Sequence, residues 1–110
     1  MSRDNQKSAK QANTRGLKRK LLMIEQSGGA CIVCVYNKNL SALHFHHVKP
    51  GLKLFTFNQR NLAGKPMKKL HKEFLKCELL CANCHSEHHN PTTEINQVKQ
   101  MIIDYEKNRV

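Results

Sequence analysis

The sequence predicts a small α+β domain stapled by a metal ion. Three observations lead to that class. Apolar stripes at helical spacing alternate with two short strand-like runs, Leu40 to Val48 and Cys77 to Leu80. Two Cys-x-x-Cys pairs, Cys31/Cys34 and Cys81/Cys84, flank the stretch that holds both runs. The 110 residues are only 39% hydrophobic and 5% aromatic, with no Trp, so the core is small and needs help to hold.

Residues 1–14 are polar, rich in Lys, Gln, Ser and Asn, and lack apolar periodicity. They read as a flexible basic arm or a plain frayed terminus ahead of one domain over 15–110. From Arg15 a helix is expected, with Leu17, Leu21 and Ile24 as its apolar stripe, Lys18, Arg19 and Lys20 on another face, and Gly28-Gly29 as its stop. Tyr36 to Asn39 reads as a turn. Leu43, Phe45 and Val48 give the first run its strand character, which ends at Pro50-Gly51. Leu52 to Gly64 is ambiguous: Leu54 to Phe57 reads as a short strand in one interpretation, and Gln59 to Gly64 looks like loop. Pro66 suits a first helical turn, and Met67, Leu70 and Phe74 predict a helix over Pro66 to Lys76. The second strand, Cys77 to Leu80, leads into Cys81-Ala-Asn-Cys84, and His85 to His89 opens another helix that Asn90-Pro91 closes. A last amphipathic helix over about 93–108 starts at a Thr92 or Thr93 cap and carries Ile95, Val98, Ile102 and Tyr105 on one side.

The chain opens Met1-Ser2-Arg3-Asp4 and has no apolar stretch long enough for a secretory signal or a membrane span, so a reducing cytoplasm is the expected compartment. There, close cysteine pairs serve as metal ligands more often than as disulfide partners, and five cysteines cannot all pair. Cys31, Cys34, Cys81 and Cys84 supply four thiolates, the donor set of a closed structural zinc site. The alternatives are a redox Cys-x-x-Cys, which needs only one pair, and free buried thiols. Cys77 reads as a small buried hydrophobe. Zinc at this position joins the start of the domain to its end.

Of seven histidines, six lie in two groups, His44-Phe45-His46-His47 and His85-Ser-Glu-His88-His89. On a helix His85 and His89 share a face, the spacing that lets two imidazoles bind one ion, and His88 turns away. On a regular strand His46 and His47 point to opposite faces, so only one of them can join that ion. Three ligands, His46, His85 and His89, leave coordination positions open. The neighbouring His47 then becomes a candidate general base for a water, because an imidazole titrates near neutral pH. The alternative is a set of surface or supporting histidines.

Leu43-His-Phe-His-His-Val-Lys-Pro50, followed by Lys76-Cys-Glu-Leu-Leu-Cys-Ala-Asn-Cys-His85 and by His89, resembles the HNH endonucleases, in the branch with a two-knuckle zinc site. The resemblance covers roughly Leu17 to Asn90, with the core motif over 31–90. It implies a ββα-metal (His-Me) finger, in which a two-stranded hairpin packs on a helix with the metal between them. It implies His47 as general base and His46, His85 and His89 as ligands of one catalytic divalent ion, for which Mn, Ni, Co and Zn suit imidazoles and Mg stays open. Where the family's motif has Asn, nine residues before His85, this chain has Lys76, and Asn83 is the nearest candidate for an orienting residue. The resemblance further implies DNA cleaved to 3′-hydroxyl and 5′-phosphate ends, in a bacterial or phage-infected cell.

The charge balance agrees with such a substrate. Nineteen Lys+Arg stand against eight Asp+Glu, a formal net charge of +11, which points to a polyanionic partner, with nucleic acid as the leading reading. Lys49, Lys53, Arg60, Lys65, Lys68, Lys69, Lys72 and Lys76 lie between the two motif halves beside a single acid, Glu73. They are candidate DNA phosphate contacts, which hold the backbone without reading bases; a solvated helix face is the alternative. Arg3 to Lys20 forms a second basic patch. A non-catalytic zinc module that binds nucleic acid needs the same cysteines and charge but no His47. A zinc-based protein-interaction domain has no need of the charge.

Overall fold

In the computed structural model, which describes residues 3–109, the chain starts with a single long helix, α1 (Arg3–Gln26). Residues 3–14 therefore belong to a helix, where a flexible arm was expected; Met1 and Ser2 of that arm, and Val110 of the domain, lie outside the described residues. Helix propensity explains the difference. Lys, Gln, Ala and Arg extend a helix without needing an apolar face. The expected stripe is also partly displaced: Ile24 is buried as expected, but Leu17 and Leu21 remain 42% and 43% exposed and Met23 is buried in their place. Gly28 and Gly29 end α1 at φ values of 99° and 78°, which suit residues without a Cβ, and the Gly29 N–H donates to the Ile24 carbonyl at 2.8 Å.

The reason for the displaced stripe is α2 (Gln59–Gly64), a short helix where loop was expected. The Asn58 side chain caps it by accepting from the Asn61 N–H, and Leu62 is its buried residue. It docks on α1 through Arg19. That guanidinium donates to the carbonyls of Leu62 at 2.9 Å, Ala63 at 3.3 Å and Lys65 at 2.8 Å, so it closes the C-terminal end of α2. Arg15 adds a bond to Ala63 at 2.8 Å. Arg19→Met is expected to cost about 1 to 3 kcal/mol, the scale of lost charge-assisted hydrogen bonds, and to lower Tm in a melting experiment without removing bound metal.

β1 (Leu43–His47) and β2 (Cys77–Cys81) form one antiparallel sheet, with Leu43 opposite Cys81 and His47 opposite Cys77. β1 starts later than expected because Leu40–Ala42 folds into a 3₁₀ turn under an Asn39 cap. Leu54 to Phe57 pairs with no strand. The pleat puts Leu43, Phe45 and His47 on one face and His44 and His46 on the other. α3 (Met67–Phe74) buries Leu70, Glu73 and Phe74. With Met23 and Leu62, its Leu70 and Phe74 make one core cluster; Ile24, Cys31, Leu43, Leu79, Leu80 and Cys81 make the other. Phe45 packs against both and meets Phe57 and Phe74 edge-on at 4.8 and 5.6 Å.

α4 (Ala82–His89) follows β2 directly and packs on the sheet. α5 (Ile95–Asn108) is capped by the Glu94 carboxylate, which accepts from the N–H groups of Asn96 and Gln97, rather than by Thr92 or Thr93. None of its residues is buried, so its apolar side meets solvent. Among the described residues, no helix is long and apolar enough to cross a membrane.

Candidate metal centres

The first centre is built where α1 ends and β2 turns into α4. Cys31, Cys34, Cys81 and Cys84 come together with all four sulfurs within 4.8 Å of one another. Each pair is a tight turn whose backbone addresses a sulfur: the Val33 N–H donates to Cys31 at 3.4 Å and the Cys84 N–H to Cys81 at 3.4 Å. The first turn puts Val35 at φ 67°, a left-handed conformation that a β-branched side chain resists, and the Val35 N–H to Cys31 carbonyl bond at 3.0 Å holds it there. The Ile32 N–H donates to the Leu79 carbonyl at 3.0 Å, which ties this turn to β2.

Burial opposes ionisation of Cys31, but the N–H groups of Cys34, Cys81 and Val33 outweigh it and hold the thiol down at about 6. Cys84 is pushed the other way, first by its hydrogen bond to Cys81. Four sulfurs this close cannot all carry charge unaided, and a divalent cation among them removes the conflict; the all-thiolate donor set suits zinc. Cys77 stays outside. Its thiol is pushed up to about 12 by burial and donates to the Glu73 carbonyl at 3.6 Å.

The second centre lies across the sheet face that carries His44 and His46. Ring nitrogens of His46, His85 and His89 lie within 4.8 Å of one another, with His46 buried, His85 half-buried and His89 exposed. His85 and His89 approach at Nε2 to 3.1 Å, and the other ring nitrogen of His85, Nδ1, meets Nδ1 of His44 at 2.9 Å. His44 thus braces a residue of the cluster from the same strand face as His46. His88 is exposed and stays out of the ligand group, as expected. Its ring nevertheless packs beside the cluster, with its centroid 4.5 Å from that of His46. Burial, followed by repulsion from the neighbouring imidazoles, holds the pKa of both His46 and His85 below the ordinary histidine value, which favours the neutral form that binds metal.

His47 points to the opposite face and ends against α3. Its Nε2 lies 2.8 Å from Oε2 of Glu73, and both side chains are buried, at 8% and 1% exposure. Asn83, the expected orienting residue, is exposed on α4 and makes no hydrogen bond to His47. Its place is two residues into a helix on the other side of the sheet; the group that meets His47 is Glu73. That residue was legible only as the lone acid of a basic segment. The signal that marks it is its position three before Lys76 and beside Leu70 and Phe74 on the inner face of α3. A cavity of about 360 Å³ is lined by His44, His46, His47, His85 and His89, together with Lys20 and Lys53.

The basic residues divide by exposure. Lys49, Lys53, Arg60, Lys68, Lys69 and Lys72 are exposed, and Lys65 lies over the Phe55 ring at 4.7 Å. Lys76 is spent internally, on Glu73 at 2.8 Å and the Leu52 carbonyl at 2.9 Å, which corrects its reading as a phosphate contact. In the α1 patch, Arg15 and Arg19 hold α2 and Lys20 donates to the Leu40 carbonyl at 2.6 Å. No family model, curated protein or solved structure matches the chain.

Proposed function

We propose that the chain is a metal-dependent DNA endonuclease built on a ββα-metal finger of the HNH type. Support for the finger lies in the order β1, β2, α4, with His46 on the sheet opposite His85 and His89 on the helix. The observation that carries the activity is a single cavity lined by three imidazoles with nitrogens close enough to share an ion and by His47, which a buried carboxylate fixes.

Cys31, Cys34, Cys81 and Cys84 would hold a structural zinc ion, which closes the domain. His46, His85 and His89 would hold one divalent ion, and the chemistry it would supply is Lewis-acid stabilisation of charge on a phosphate oxygen. His47 removes one proton from a water molecule, and the water oxygen forms the new bond to phosphorus. The bond from phosphorus to the 3′ oxygen breaks, and that oxygen takes a proton from solvent, leaving 3′-hydroxyl and 5′-phosphate ends. Lys53 at the cavity and the exposed Lys68, Lys69 and Lys72 of α3 would bind the DNA backbone.

The activity is tested by incubating supercoiled plasmid with the protein across a panel of divalent ions and in EDTA. Nicked or linear product with an ion and none in EDTA is expected. Tight DNA binding without product in any ion favours the non-catalytic zinc module instead. Reversing charge at Lys68 and Lys69 together is expected to weaken binding to every sequence alike and to flatten the slope of log affinity against log salt by about 1 to 2, as read by fluorescence anisotropy over a salt series.

A further inference from the structure

Glu73 is an unusual residue for its surroundings: a carboxylate at 1% exposure, carried by a helix whose outer side is lysine, with no unsatisfied polar atom around it. A buried carboxylate survives only when donors replace its water. Here Oε1 accepts from the Lys76 ammonium at 2.8 Å, and Oε2 accepts from the Leu54 N–H at 3.0 Å and lies 2.8 Å from His47 Nε2. Burial works to raise the Glu73 pKa, but Lys76, the Leu54 N–H and His47 together overcome it and hold the carboxyl at about 2, so the group is ionised at neutral pH. An ionised carboxylate only accepts, so His47 must donate from Nε2.

We propose that Glu73 is a positioning residue for the nuclease reaction: it holds His47 with its proton on Nε2, which leaves Nδ1 as the one ring nitrogen able to take a proton from water. The inference rests on the nuclease reading and adds to it the base's reacting atom and the group that selects that atom. Glu73 also stabilises the imidazolium that forms when Nδ1 is protonated, without taking up a proton itself. This is the division of labour between histidine and aspartate in serine hydrolases, with the two ring nitrogens exchanged. Lys76 has a part too. By engaging Oε1 and the Leu52 carbonyl, it fixes the carboxylate so that Oε2 faces His47.

The test combines a wild-type measurement with a variant. In zinc-loaded protein labelled with ¹⁵N at histidine, long-range ¹H–¹⁵N spectra report which His47 nitrogen carries the proton; Nε2 is expected, and a proton on Nδ1 overturns the proposal. Glu73→Gln keeps the shape but removes the charge, and its amide can donate to Nε2 and draw the ring into the other tautomer. It is expected to lower kcat by about 10²- to 10⁴-fold while KM, DNA affinity and calorimetric metal affinity stay within about threefold of wild type. Glu73→Asp, which restores the charge at a shorter reach, should recover part of the lost kcat. Wild-type kcat in Glu73→Gln overturns the proposal. Should Glu73→Gln fail to fold, the wild-type tautomer decides alone. Because the tautomer is read without turnover, wild-type protein that never cuts DNA but protonates Nε2 removes the nuclease reading and keeps the Glu73–His47 assignment.

Discussion

His47→Ala is expected to retain metal and DNA binding yet cut DNA about 10² to 10⁴ times more slowly, the range over which a positioned general base contributes. The two adjacent histidines occupy opposite faces of β1 and meet different neighbours. His46 belongs to the cluster with His85 and His89, whereas His47 ends on Glu73. His46→Ala should therefore weaken metal binding, and excess metal should restore part of its activity. Calorimetric titration of metal, run beside a nicking assay, separates the two variants. Equal loss of metal affinity in both shows that the roles are assigned wrongly. Full activity in His47→Ala removes the mechanism.

Cys81→Ser is expected to unfold or aggregate. Cys81 serves three structures at once: it ends β2, its side chain caps α4 by accepting from the Cys84 N–H, and it is 5% exposed in the core cluster with Ile24 and Leu79. Serine keeps some of the cap but removes the thiolate, and a four-ligand structural site with one ligand missing loses the free energy that metal binding adds to folding. With cores this small, that free energy is not replaced elsewhere. Wild-type protein stripped of weakly bound ions should contain one zinc per chain by metal analysis. Cys77→Ser is the control and should fold, because its thiol only reaches the Glu73 carbonyl and a hydroxyl can do the same. A folded, zinc-free Cys81→Ser protein contradicts the structural role.

Some of this was legible from residue patterns and some was not. The two cysteine pairs and the stripe of Met67, Leu70 and Phe74 declare their partners by local spacing, and their neighbourhoods follow from it. α2 carries one buried apolar residue, Leu62, and owes its docking to an arginine 43 positions earlier, which no local pattern encodes. The same docking turns α1 so that Met23 faces inward where Leu17 and Leu21 were expected. Glu73 is hidden for a related reason. Read alone it is one acid among lysines, and only the packing of α3 beside the end of β1 brings it to His47. The amphipathic pattern of α5 was readable, but periodicity does not say whether a face is covered, and here it is exposed.

The most direct measurement of the central claim starts from protein treated with a chelator mild enough to leave the metal proposed at the four cysteines in place. Incubated with supercoiled plasmid, that protein should be inactive, and adding a divalent ion should restore nicking or cutting, with product ends that carry 3′-hydroxyl and 5′-phosphate. Cleavage that persists at full rate after chelation, or the absence of cleavage with every ion tried on folded, zinc-loaded protein, contradicts it.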